Sequence, residues 1–264
     1  MRKKVSVIMS VYNDEKYVGE AIESILKQKF EDFEFIICND CSADKSGDII
    51  QKYAQKDQRI IYFTNEKNMG LASSLNRCLE KSTGEYIARM DSDDYSLKYR
   101  LKKQVEFLDM NPWCAVLGGQ IEYINSFGEV YRESSFKQEI SKKDVIMQVC
   151  VAHPTVLMRR EVLEKVGGYT VSSLTNRAED YDLWCKIVEH GFVLHNLSDK
   201  VLKYREDRGA IKKRKYKYRI EEFRIKNYWR KRMGYSIAYV VYAIKPLIIG
   251  MLPSFIYRKL KKIK

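Results

Sequence analysis

Three carboxylates fall within four positions at Asp91-Ser92-Asp93-Asp94, directly after the apolar run Tyr86–Met90. Such a set repels itself unless a cation lies among its oxygens. A hard divalent ion, Mg2+ or Mn2+, would supply the charge and keep coordination positions open for phosphate oxygens. The alternative for the same spacing is a solvated acidic turn ahead of the next helix. The place at the end of a buried strand favours the metal. A second acidic group, Glu179-Asp180-Tyr181-Asp182, opens the helix-patterned segment Asp180–His190, where Asp180 also suits a helix cap. Cys38-Asn39-Asp40-Cys41 has the spacing of a redox or zinc motif. A zinc site needs more ligands, and His153, His190 and His195 form no matching pair. The six scattered cysteines read as reduced thiols, which places the protein in the cytoplasm.

The elements that must position these groups alternate through the first half of the chain. Val5–Val11, Phe33–Cys38, Ile60–Phe63 and Tyr86–Met90 are short apolar runs. Helical patterns lie between them: Val18, Ile22, Ile25 and Leu26 share one face, and Ser46–Gln55 and Leu71–Lys81 follow. Unbroken apolar strands separated by amphipathic helices predict an α/β fold, a Rossmann-type, mostly parallel sheet with helices on both faces. Ligands of such sheets bind beyond the carboxyl ends of the strands. That rule selects Tyr12-Asn13, Asn39-Asp40 and Asp91–Asp94. No Gly-rich phosphate loop follows the first strand. The start, Met1-Arg2-Lys3-Lys4 leading into Val5, resembles a signal peptide, but Asn13-Asp14-Glu15 follows at once, so Val5–Val11 reads as a buried first strand.

Beyond Asp94 the pattern is mixed. A helix is expected over Leu97–Met110 and another over Lys142–Val149. Strands are expected near Ala115–Leu117, His153–Met158, Phe192–Leu197 and Lys200–Tyr204, with a turn at Gly167-Gly168. Charge then separates sharply. Residues 203–264 hold 20 Lys and Arg against 4 Asp and Glu, so the strong positive charge of the chain, +13, lies in its tail. Lys212–Arg232 interleaves this charge with Tyr216, Tyr218, Phe223, Tyr228 and Trp229. Ile237–Ile256 is apolar but interrupted by Lys245-Pro246 and Pro253, too broken for the roughly 20 apolar residues a spanning helix needs. Interfacial helices on an anionic membrane surface are expected, with a homodimer interface as the alternative. A nucleic-acid module would account for the tail alone, and no nucleic-acid partner is expected.

Five motifs occur in the order seen in family-2 inverting glycosyltransferases. They are Ser6–Asn13, Asn39-Asp40-Cys41-Ser42, Gly70–Asn76, Gly84–Asp94 and Glu179–Trp184, and the resemblance covers about residues 5–205. It implies a GT-A-type fold that is non-processive, since the Gln-x-x-Arg-Trp signature of processive polymerases is absent. It also implies transfer of one hexose or N-acetylhexosamine from a UDP-sugar donor to a saccharide acceptor, in surface polysaccharide assembly. Tyr12 would flank the nucleobase, Asp40 would accept from the uracil imide, and Asn76 belongs with the donor contacts. Asp91 would meet ribose or metal, and Asp93 the metal bridging the diphosphate. Asp180 would be the general base, supported by Glu179 and Asp182, while Arg89 and Arg100 would orient charge around the diphosphate. The family's histidine after the last strand is missing from Tyr204-Arg205-Glu206-Asp207-Arg208. Asp207 as a substitute ligand, Arg205 or Arg208 as a neutralising cation, and His153 as ligand all stay open. A nucleotidyltransferase on a similar sheet is the alternative enzyme. The expected organisation is a catalytic domain over 1–211, with a donor half to about 110 and an acceptor half beyond it. A tail over 212–264 would hold the enzyme at the inner face of the cell membrane beside a lipid-linked acceptor.

Overall fold

The computed structural model describes residues 3–206 and 216–251. Strands β1 (Val5–Val11), β2 (Phe33–Asn39), β3 (Ile60–Thr64) and β4 (Tyr86–Met90) pair in the parallel order β3-β2-β1-β4. Between them lie α1 (Val18–Leu26), α2 (Ser46–Lys56) and α3 (Leu71–Lys81). β5 (Tyr95–Ser96) and α4 (Arg100–Met110) follow, then β6 (Cys114–Ile124), β7 (Val130–Glu133), β8 (Glu139–Ile140), α5 (Lys142–Ile146), β9 (Leu157–Arg159), α6 (Arg160–Val166), α7 (Glu179–Glu189) and β10 (Val193–Arg205). The sheet continues from β4 through antiparallel β9 to β6, β10 and β5. The helices α8 (Tyr216–Arg232) and α9 (Val240–Met251) close the described chain.

Both faces of the sheet are covered, which explains the unbroken apolar runs. Along β1, Val5, Val7, Met9 and Val11 pack against α1, α2 and α4, while Ile8 faces the layer built from α3, α5, α6, α7 and α8. All of these β1 residues are fully buried. The resulting architecture is the expected mostly parallel sheet with helices on both faces, followed by C-terminal helices.

The second half departs from the sequence reading in instructive ways. The two strands expected around 192–204 are one, β10, whose register against β6 shifts between Asn196 and Leu202. Two residues with little apolar character, Ser198 and Asp199, mark that irregularity and read as a break. His153 does not start a strand. His153–Thr155 is a 3-10 turn, and the short β9 begins at Leu157. α8 is part of the folded body, because Ile225 and Trp229 are buried in the same cluster as α7.

Candidate active site

Strands β1, β2, β4, β6 and β10 run the same way and end at one edge. From β4 the chain leaves into the acidic turn, where carboxylate oxygens of Asp91, Asp93 and Asp94 lie within 4.8 Å of one another. Asp94 is buried. One of its oxygens accepts the Arg205 N–H at 2.9 Å, and the other has no hydrogen-bond partner. Burial, then the charges of Asp91 and Asp93, hold the Asp94 carboxyl well above the usual range. Burial and the neighbouring Asp91 and Asp14 raise Asp93 to about 7. Asp93 and Asp94 resist ionisation even with Arg89 paired to the neighbouring Asp91, and an orphaned buried carboxylate oxygen sits among them. These residues fit a divalent cation, with Asp93 and Asp91 as the side chains placed to hold it.

Arginines frame the turn. Arg89, 3 % exposed, grips both oxygens of Asp91, and its Nε has no partner. Arg100 is not available to a diphosphate. It is buried beneath the turn, where it donates to the carbonyls of Arg89 at 2.7 Å and Val156 at 3.3 Å, and burial lowers its pKa to about 9. Arg205, at the end of β10, is likewise occupied. It donates to the Asp93 carbonyl at 2.9 Å and to Glu20 at 2.7 Å, and stacks over Tyr17. It therefore fixes the acidic turn rather than meeting phosphate. Asp207 and Arg208 lie outside the described residues.

The residues expected to meet the nucleotide follow the β1 and β2 termini. Tyr12 is half-exposed just past β1. Asp40 is almost fully buried and closes a turn: its Oδ1 accepts from Asn65 at 2.7 Å and Met69 N at 2.8 Å, and its Oδ2 from Gly70 N at 2.8 Å. Gly70 takes φ +82°, which suits glycine, so that α3 can start against this carboxylate. Asp40 Oδ2 accepts only that one hydrogen bond, from Gly70 N, among the described residues. Asn76, expected among the donor contacts, is held elsewhere. Its amide donates to the Tyr169 carbonyl at 2.8 Å and accepts the Tyr169 N–H at 2.9 Å, so it ties α3 to the loop after α6. Cys38 and Cys41 form no disulfide, and the only group of potential metal ligands among the described residues is the aspartate cluster.

Asp180 comes from the opposite side. α7 starts at Glu179 with Ala178 as its cap residue, so Asp180 lies inside the first turn and does not cap a helix starting at Tyr181. One Asp180 oxygen accepts the Tyr181 N–H at 2.7 Å. Burial raises the Asp180 pKa, against the lowering effects of backbone hydrogen bonds and Arg89, and Asp91 adds repulsion. Glu179 is raised by burial first and by Asp180 second. Asp182 does not support Asp180. It is buried on another face of α7, and its Oδ1 accepts from the Trp229 indole of α8 at 2.8 Å.

Asp91, Arg89, Glu179, Asp180 and His153 line one cleft of about 600 Å³. His153 is buried, 2.8 Å from the Tyr169 hydroxyl through Nε2, and burial with nearby Arg89 lowers its pKa well below the usual value. It is a neutral imidazole at the cleft wall. Tyr123, Tyr204, Phe136, Arg132 and Arg177 also line the cleft. Of these five only Tyr204 lay in a segment singled out in the sequence, the Tyr204-Arg205 pair at a strand end.

The chain matches the Glycosyl transferase family 2 profile over residues 6–167. It is 36% identical over 261 residues to EpsE of Bacillus subtilis (strain 168), covering 98% of this chain and 93% of that protein. It is 30% identical over 253 residues to WfaP of Escherichia coli, named a UDP-Glc:alpha-D-GlcNAc-diphosphoundecaprenol beta-1,3-glucosyltransferase, covering 92% of this chain and 94% of the relative. Among solved structures, residues 1–349 of S. aureus TarS superpose with a TM-score of 0.68 at 25% identity, over 93% of this chain and 70% of that one. With the acidic turn, the parallel sheet edge and the matched profile in agreement, the chain belongs to glycosyltransferase family 2 and is a glycosyltransferase of GT-A fold.

Proposed function

We propose that the enzyme transfers a single hexose or N-acetylhexosamine, with inversion, from a UDP-sugar to a saccharide carried on a lipid diphosphate. The observation that carries this reading is the shared cleft: Asp91 of the acidic turn and the half-buried Asp180 in the first turn of α7 line one cavity. WfaP's name gives the donor and acceptor classes of a relative that is similar over nearly its whole length. A divalent cation held by Asp93 and Asp91 would neutralise the departing diphosphate. Asp180 accepts the proton of the acceptor hydroxyl as its oxygen attacks the anomeric carbon and the bond to the diphosphate breaks. Burial disfavours ionisation of Asp180, which makes it a better proton acceptor once ionised, while Arg89 and the positive N-terminus of α7 keep the charged form accessible. Tyr12 and the free lone pair of Asp40 serve the uracil, and Glu179 and His153 shape the acceptor side.

The tail supports attachment at the membrane surface. No helix among the described residues is long and apolar enough to cross a bilayer. α9 and the turn before it instead leave Ile237, Val241, Ile248 and Met251 more than half exposed at helical spacing, beside exposed Lys245. Calorimetry of UDP-sugar binding, with and without Mn2+, tests the catalytic reading. Metal-dependent binding by the wild type, lost in Asp93→Ala, is expected. Absence of binding to any nucleotide sugar by the folded, metal-loaded protein would overturn it.

A further inference from the structure

Arg177 is a cleft residue to which no motif gives a role. It sits three residues before Asp180, in the segment that delivers the base, and it has φ +63°, a left-handed conformation rarely held by a residue with a side chain. The loop is tied on both sides of it. The Thr175 hydroxyl donates to the Thr170 carbonyl at 2.7 Å, and the Ala178 N–H donates to the Thr175 carbonyl at 2.9 Å. The guanidinium lies over the ring of Tyr218, 4.2 Å from its centroid, so a side chain from α8 holds it in place.

Its lack of a carboxylate partner among the described residues is what distinguishes it. Of the three arginines lining the cleft, Arg89 is paired with Asp91, and Arg132 lies 3.9 Å from Glu206 while stacking on Tyr123. The Arg177 guanidinium has no carboxylate partner among the described residues. A stacked guanidinium keeps its in-plane N–H fork free, the geometry that matches two phosphate oxygens. The donor diphosphate belongs at the aspartate turn ending β4. Arg177 stands on the side of α7 and α8, next to the carboxylate that takes the acceptor's proton.

We infer that Arg177, aimed by Tyr218, binds a diphosphate on the acceptor adjacent to the sugar that receives the new residue. The tail thereby acts as a specificity element: through α8 it selects acceptors that carry phosphate beside the reacting sugar. This rests on the lipid-diphosphate acceptor reading given above. It assigns that reading a residue and separates donor recognition, at the aspartate turn, from acceptor recognition, at the α7–α8 side.

The test is inorganic pyrophosphate binding followed by calorimetry in EDTA, where a metal-dependent donor site is silent, on the wild type, Arg177→Ala, Arg177→Lys and Tyr218→Ala. Binding by the wild type that weakens about tenfold or more in Arg177→Ala is expected, with Lys recovering part of it and Tyr218→Ala showing an intermediate loss. Glucuronate serves as the carboxylate control and is expected to bind at least tenfold more weakly than pyrophosphate. Equal affinity of wild type and Arg177→Ala, no wild-type binding, or preference for glucuronate would each overturn the assignment. Mn2+-dependent UDP-sugar binding is measured on the same preparations. If it persists in all variants, a negative pyrophosphate result strikes Arg177 alone. If the wild type lacks it, the catalytic reading itself fails.

Discussion

At the scale of single residues, the two acidic groups, the turn after β4 and the start of α7, have different surroundings. Asp93 is raised by burial, Asp91 and Asp14, and Asp94 by burial, Asp91 and Asp93, a repulsion that a bound cation would relieve. Asp180 is raised by burial, and Arg89 partly offsets that effect. The sign of the pH effect follows. As the proposed base Asp180 works ionised, so activity is expected to be full above its raised pKa and to fall as pH drops through it, tenfold per unit. A log kcat/KM profile is expected to show an acidic limb with a midpoint above the ordinary aspartate value of about 3.9. Asp180→Asn should lower kcat by about 10²- to 10⁴-fold and leave UDP-sugar binding in place. A variant retaining near wild-type turnover would remove Asp180 from the base role. Arg205 shows the opposite lesson. It resembled a phosphate ligand in sequence, but hydrogen bonds to the Asp93 carbonyl and Glu20 hold it in the framework.

At the scale of elements, α7 is the part that links chemistry to packing. Its first turn carries Glu179 and Asp180 into the cleft, and Asp182, two residues on, points into the body and receives the Trp229 indole. Helical geometry makes this division unavoidable, since neighbours two apart face away from each other. α8 is therefore a brace for α7. Trp229→Phe keeps most of the ring volume but leaves the buried Asp182 oxygens without the indole donor. It should cost about 1–3 kcal/mol in chemical denaturation. A loss near zero would mean that α8 packs without supporting α7. The same contact means that truncation before Tyr216 would strip Ile225 and Trp229 from the core cluster, so the tail's role is better probed by point changes.

At the scale of the whole molecule, charge and apolar exposure lie at the C-terminal end of a body that is otherwise slightly acidic. α9 leaves an apolar stripe exposed next to the basic α8, and each basic residue near an anionic bilayer adds about 1 kcal/mol of attraction. Val241→Asp with Ile248→Asp should abolish co-sedimentation with phosphatidylglycerol vesicles while the far-UV circular dichroism stays unchanged. Wild-type binding should fade as salt rises. Wild-type protein that stays in the supernatant at low salt would refute membrane attachment, and unchanged sedimentation of the double variant would remove α9 from the contact.

The sequence by itself determined the α/β class, the order of the first four strands and helices, the acidic turn and the family. These are written in local terms: unbroken apolar runs, period-3.6 burial, strand-end position and short contiguous motifs. Tertiary structure alone decided which charges are free. Arg89, Arg100 and Arg205 looked alike along the chain, yet they became respectively a partner of Asp91, a buried strut and a clamp on the acidic turn. Asn76 and Asp182, each within a motif, turned out to hold α3 and α8 in place. Arg177 carried no signal at all, because its meaning comes from an aromatic ring on an element 41 positions away and from the absence of a carboxylate among its described neighbours. Partnership of this kind depends on three-dimensional proximity between distant segments, and no local pattern of residue types encodes it.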